Sequence, residues 1–221
     1  MKTLAQHINE WKVNSQSVEN IHYQKHHKYF IYEINNDGGI RVFDYEWPIL
    51  NDYRNNVYID GEHIEINGTG FTTGKEFKRG EHYVLIKDID KIDNCSFMFD
   101  GCHALKAVPI FNTSKVKDMM CMFRDCRNLE EVPLLNTKNV TNMYGMFCYC
   151  KKIKSIPNFN VYNVNDMQYM FQMCETLKDV PLFNINKNVK MLNMFLDCYE
   201  LNENTIDKWS KKYDFNNDCE V

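Results

Sequence analysis

The sequence predicts an α/β repeat fold: a solenoid with a parallel sheet, preceded by a β-rich N-terminal region and closed by a C-terminal helix. Three observations predict it. Met98-Phe99, Met122-Phe123, Met146-Phe147, Met170-Phe171 and Met194-Phe195 recur at an unbroken interval of 24 residues. Cys102, Cys126, Cys150, Cys174 and Cys198 keep that interval, as do Leu105, Leu129, Ile153, Leu177 and Leu201. Pro109, Pro133, Pro157 and Pro181 are in phase with both, followed by Asn112, Asn136, Asn160 and Asn184. A fixed period of roughly 20–50 residues with several columns in register is the mark of units that stack, because no single unit can bury its own apolar face.

Each unit reads Val-Pro-x-Phe-Asn-x-x-x-Val-x-x-Met-x-x-Met-Phe-x-x-Cys-x-x-Leu-x-x. Val116, Met119, Phe123 and Cys126 fall at the spacing of one helix face, so a short helix is expected there. Leu105, Val108 and Ile110-Phe111, broken by Pro109, suggest a short extended segment. Proline lacks the amide a ladder needs, which places Pro109 and its equivalents at a strand edge or bend.

The unit MF-x-x-C-x-x-L, with Phe111 to Val116 (FNTSKV) and Asn136 to Met143 (NTKNVTNM), resembles the BspA-like leucine-rich repeats, a group that includes a repeat of mycoplasmal lipoproteins. The resemblance covers about residues 84–206. It implies a right-handed leucine-rich-repeat-like solenoid with a curved sheet, and a role in binding other macromolecules. Members of that family are often bacterial surface proteins that touch host components.

Taken in order, the chain divides into a helix and linker at 1–27, a β-rich cap or small domain at 28–86, five repeats at 87–201 and a helical cap at 202–221. Leu4, Ile8 and Trp11 follow Thr3 at helical spacing, so a short capped helix is expected there rather than a signal peptide. The same stretch, MKTL followed by HINE, resembles short N-terminal leaders of gut-bacteriophage proteins. Tyr29–Ile34 and Ile40–Tyr45 flank Asn36-Asp37-Gly38-Gly39, a hairpin signal. A second signal, Asp60-Gly61, lies between Asn56–Ile59 and His63–Ile66. A further strand is expected at His82–Ile86. After Leu201, Ile206, Trp209 and Tyr213 line one side of a helix.

Bulk properties exclude several classes. The net charge of −4, with 26 Lys and Arg against 30 Asp and Glu, argues against a nucleic-acid binder. No apolar run approaches the roughly 20 residues a membrane span needs. Gly68 to Lys75 suggests a phosphate loop, but Thr69 stands where its first glycine belongs and Glu76 where its hydroxyl belongs. His22, His26 and His27 have a metal-like spacing with no carboxylate or thiol in register, and Lys25 and Lys28 oppose a cation. Five of the nine cysteines share one repeat column beside Met and Phe. They are expected to be reduced core thiols, which points to a reducing, cytoplasmic setting. The sequons at Asn67, Asn94, Asn112 and Asn139 carry meaning only for a secreted glycoprotein.

No nucleophile, base and orienting group stand at matching positions, and no cofactor or metal motif survives inspection. The expected function is therefore non-enzymatic protein–protein interaction, by a phage or bacterial factor that binds and modulates a host protein. A structural or surface component (an adhesin or virion part) is one alternative; a ligand-binding or hydrolytic activity in the N-terminal β region is another. The columns free to vary supply the candidate contacts. They are Lys106, Glu130, Lys154 and Lys178, with Glu131, Ser155 and Asp179 beside them, and Tyr144, Tyr149 and Tyr169 on the other side of the unit.

Overall fold

The computed structural model describes residues 29–213. The expected N-terminal helix and the His22, His26 and His27 group lie outside them. The described strands form one five-stranded antiparallel sheet of order β3-β2-β4-β1-β5. They are β1 (Phe30–Ile34), β2 (Val57–Ile59), β3 (Glu62–Ile64), β4 (Gly80–Ile86) and β5 (Leu105–Ala107). A one-turn helix, α1 (Leu50–Tyr53), precedes β2, and α2 (Glu203–Tyr213) follows the last repeat.

The Asp60-Gly61 hairpin forms as its sequence requires. Val57 pairs with Ile64 and Ile59 with Glu62. Asp60 and Gly61 both take positive φ, 51° and 90°, the combination that a two-residue turn matched to strand twist demands. The expected hairpin across Asn36–Gly39 does not form. β1 pairs instead with β4 on one edge and β5 on the other, so neither edge is left for residues 40–45. That segment bridges the loop after β3, Arg41 opposite Phe71, and sinks Ile40, Val42 and Phe43 into the core. Gly70 has to be glycine here, because a Cβ would stand 1.9 Å from the Phe43 carbonyl oxygen.

The parallel-sheet, leucine-rich-repeat-like solenoid is overturned. The sheet is antiparallel and belongs mostly to the N-terminal region. Past β5 the described repeats contribute isolated parallel bridges, such as Ala107 with Glu131 and Ser155 with Asp179, and no strands. The helix expected over Val116–Cys126 is absent too. Met122 N–H donates to Met119 (3.2 Å), Arg124 N–H to Cys121 (3.2 Å) and Cys126 N–H to Phe123 (3.1 Å), giving three overlapping turns. Cys121 and Asp125 sit in left-handed backbone, at φ 53° and 57°. A left-handed residue third in a turn makes it type II and prevents helical continuation. The corresponding pairs Phe97 and Gly101, Gly145 and Tyr149, Tyr169 and Met173, and Asn193 and Asp197 share this backbone.

Those turns direct their spare amides sideways. Cys121, Phe123 and Asp125 donate to the carbonyls of Tyr144 (2.8 Å), Met146 (2.9 Å) and Cys148 (2.7 Å), and the next units repeat the pattern. Each non-glycine left-handed residue costs about 1–2 kcal/mol. The sideways hydrogen bonds, roughly 0.5–1.5 kcal/mol each, offset that cost. The apolar columns lie inside. Phe99, Phe123, Phe147, Phe171 and Phe195 stack ring on ring, with centroids 5.5–5.8 Å apart. The column cysteines are buried free thiols that also donate: Cys126, Cys150, Cys174 and Cys198 each reach the Phe carbonyl of the preceding unit at 3.0–3.1 Å.

Both ends of the ring stack are covered. Phe30 and Phe43 pack on Phe99, and the α2 residue Trp209 sets its edge against Phe195 and Phe183. Asp44 N–H donates to Met98 O at 3.0 Å and the Trp47 indole to Asn94 O at 3.1 Å. Asn94 and Met98 are the first-unit counterparts of Asp118 and Met122, whose carbonyls take amides from the unit before. The N-terminal region thus supplies two of the donors an earlier unit would.

Two substitutions test this packing by urea denaturation. Phe147→Ala, removing the middle ring, is expected to cost about 3–5 kcal/mol. Cys150→Ala, removing a thiol donor and little volume, is expected to cost about 1–2 kcal/mol.

Candidate functional site

The interaction columns expected from the sequence are mostly open to solvent. Glu130, Glu131, Lys154, Ser155, Lys178 and Asp179 are exposed. Backbone bonds hold their rows in line, Glu130 N–H to Lys106 O at 2.9 Å and Lys178 N–H to Lys154 O at 3.0 Å. Lys106 is half-buried and engaged within the chain, pairing with Glu81 at 2.8 Å and Glu33 at 3.5 Å. It ties the first repeat to β1 and β4. Asp179 accepts the Thr205 hydroxyl at 2.6 Å, joining α2 to the same row. Tyr144 and Tyr169 meet edge to face at 5.4 Å and are half-buried, whereas Tyr149 is exposed some distance along the turns.

The sequence reading missed a neighbouring apolar row. Ile110, Leu134 and Leu182, each directly after a repeat proline, are 61%, 64% and 36% exposed. Asn158 occupies that column in the unit between Leu134 and Leu182. The signal was present: an apolar residue beside the core Phe or Leu, on the opposite parity, with proline before it.

A second feature lies where the N-terminal region meets the first two repeats. Arg41, Asp44, Glu46, Asp100, His103, Arg124, Asp125 and Tyr149 are among the residues lining an open cleft of about 600 Å³. Arg124 clasps Asp100 through both guanidinium arms, Nε at 2.9 Å from Oδ1, and Arg41 pairs with Asp44. His103 Nε2 lies 2.7 Å from one oxygen of Asp125, whose other oxygen accepts Arg127 Nε at 2.7 Å. Burial pushes the Asp44 and Asp100 carboxyls above the ordinary range against the pull of their arginines. Gly101, at φ 65°, lets the Arg41 guanidinium lie over the turn; a Cβ there would be 2.6 Å from Nη1. Asp100 and Arg124 are opposite charges in one repeat column, so that pair was readable from spacing. Arg41 and Asp44 come from a segment outside the period and were not.

The carboxylates of Asp44, Glu46 and Asp100 come within 4.8 Å of one another. Two arginines already balance the two buried ones, so the arrangement works as an ion-pair clamp between the N-terminal region and the repeats. Nearby thiols offer no activated nucleophile, since burial pushes Cys121 up to about 11 and Cys148 up to about 12. No helix of the described residues is long and apolar enough to cross a membrane.

Residues 93–209, just over half of the chain, match the family model described as Mycoplasma protein of unknown function, DUF285. The chain belongs to this family. The DUF285 match spans the repeats and most of α2 and leaves β1 to β4 outside it. No curated protein and no solved structure matches the chain.

The clamp supports two predictions. Gly101→Ala, which strains the turn and displaces Arg41, is expected to cost about 1–2 kcal/mol in a urea titration. Asp100 has a raised folded-state value, so its contribution is greatest below the unfolded value of about 4 and is lost as pH climbs through the folded one. The stability gap between wild type and Asp100→Asn should therefore move in the variant's favour as pH rises above about 4.

Proposed function

We propose that this chain is a non-enzymatic protein-recognition module that binds and modulates a protein partner through the exposed side of its repeats. The observation that carries the proposal is the apolar row Ile110, Leu134 and Leu182 running beside the charged rows of Glu130, Glu131, Lys154, Ser155, Lys178 and Asp179. Exposed apolar side chains grouped within a polar surround are characteristic of contact surfaces, where the apolar group supplies binding energy and the charges set register. The repeat construction favours this use. Inward columns stay constant to preserve packing, and outward columns differ from unit to unit without disturbing it. The buried free thiols of the described residues are compatible with a reducing setting. The resemblance of the MF-x-x-C-x-x-L motif to BspA-like repeats, a resemblance of sequence without shared architecture, favours a binding role as well.

Immobilised wild type and the double variant Leu134→Lys, Leu182→Lys are to be compared for proteins retained from a native lysate, with Lys208→Glu on α2 as control. The apolar row predicts a set retained by wild type and control and depleted about tenfold on the double variant, as loss of a central apolar anchor gives. Equal retention on all three would sink the proposal.

A further inference from the structure

One edge of the repeats is electrically unlike the rest. It is formed by residues 112–117, 136–141, 160–165 and 184–189, whose only charged side chains are Lys115, Lys117, Lys138 and Lys187; the column beside it carries Asp118, Asn142, Asp166 and Lys190. In a chain whose acids outnumber its bases 30 to 26, four charges of one sign with none of the other is a local segregation that net charge conceals. These four lysines and the bordering Lys190 are exposed, and none has an ion-pair partner among the described residues.

Backbone bonds hold them in register. Thr141 N–H donates to Lys117 O at 2.9 Å, Asn165 N–H to Thr141 O at 2.8 Å and Lys190 N–H to Asn165 O at 2.9 Å. Side-chain amides repeat the alignment one step over, Asn139 to Ser114 O at 2.7 Å and Asn163 to Lys138 O at 2.8 Å. The lysines therefore stand on the first, second and fourth rungs of one frame rather than on independent loops. Two acids border the edge, Asp118 and Asp166, and each accepts a backbone amide of its own turn, at 2.8 and 3.0 Å. Towards the N-terminus the sign reverses: Asp88, Asp90 and Asp93 precede the edge, and Asp90 accepts the Asn112 amide at 2.6 Å.

The positive field is thus short and bounded. Four rungs at about 4.8 Å each span about 15 Å, the reach of some five extended residues at roughly 3.3 Å apiece. A long polyanion laid along the frame would run onto the aspartates. With no arginine there is no planar fork to select a fixed geometry, and lysine heads on flexible stems suit scattered carboxylates. We propose that this edge docks a short acidic stretch of a partner polypeptide, its carboxylates facing Lys115, Lys117, Lys138 and Lys187, with Lys190 beside them. The edge uses none of the residues of the apolar row, so either surface can fail without the other.

The test is fluorescence anisotropy with a labelled hexaglutamate peptide, against hexaglutamine, a short oligodeoxythymidine and phosphatidylserine vesicles. Wild type should bind hexaglutamate in preference to the other three, with affinity falling as salt rises. Lys115→Gln, Lys138→Gln, Lys187→Gln together should weaken it about tenfold, three exposed ion pairs' worth, while Lys208→Gln leaves it unchanged. Failure of wild type to bind hexaglutamate, or equal binding by the triple variant, would overturn the proposal. So would tighter binding of the oligonucleotide or vesicles that the same three substitutions abolish, which would give the edge to a different polyanion.

Discussion

Amides at alternate positions of each Met-Phe turn point along the molecule and donate to carbonyls of the next unit, as Cys121, Phe123 and Asp125 do to Tyr144, Met146 and Cys148. Left-handed residues make this possible by turning the backbone back on itself twice within each unit. The rings of Phe99 to Phe195 then lie one over another because the backbones above and below them are already in register. Neither component suffices alone. Isolated turns of this kind would be strained, and phenylalanines without the track would have no reason to stack face to face over edge to face.

That dependence explains how the two ends are built. The first unit has carbonyls facing away from the repeats, and the Asp44 amide and Trp47 indole meet two of them. The same segment carries Arg41 and Asp44 into the clamp with Asp100, Gly101 and Arg124, so one short stretch seals the backbone, covers the Phe99 ring with Phe43 and fixes the charged cleft. β5 extends the arrangement from the other side, since it belongs to the first repeat yet is the edge strand of the N-terminal sheet. The described apolar residues consequently form one core across both regions.

With register held by backbone and interior columns, side chains facing water are free to differ between units, and their differences are grouped. The row behind the prolines is apolar except at Asn158, the row before them mixes signs, and the edge of Lys115, Lys117, Lys138 and Lys187 has no acid within it. Each surface is made from a few adjacent columns, so a change in a single unit alters one rung and leaves its neighbours in place.

The 24-residue period, the five thiols beside the phenylalanines, the Asp60-Gly61 hairpin and the Trp209 helix were legible from the residues alone. All are local patterns: a step, a turn dipeptide, a helical spacing. The backbone of the unit was not legible, because Val116, Met119, Phe123 and Cys126 satisfy a helical spacing while Cys121 and Asp125 take a conformation that side-chain type does not announce. Nor was the partner of β1. The Asn36–Gly39 signal is a strong local preference, and it yields because β4 and β5 occupy both edges of the strand. The clamp joins residues 56 to 83 positions apart, Arg41 and Asp44 on one side, Asp100 and Arg124 on the other, and no periodicity relates them. Sequence by itself determined which side chains would be inside and how often they recur. Tertiary structure decided the direction of each amide and which distant charges meet, because those follow from what already occupies the neighbouring edge.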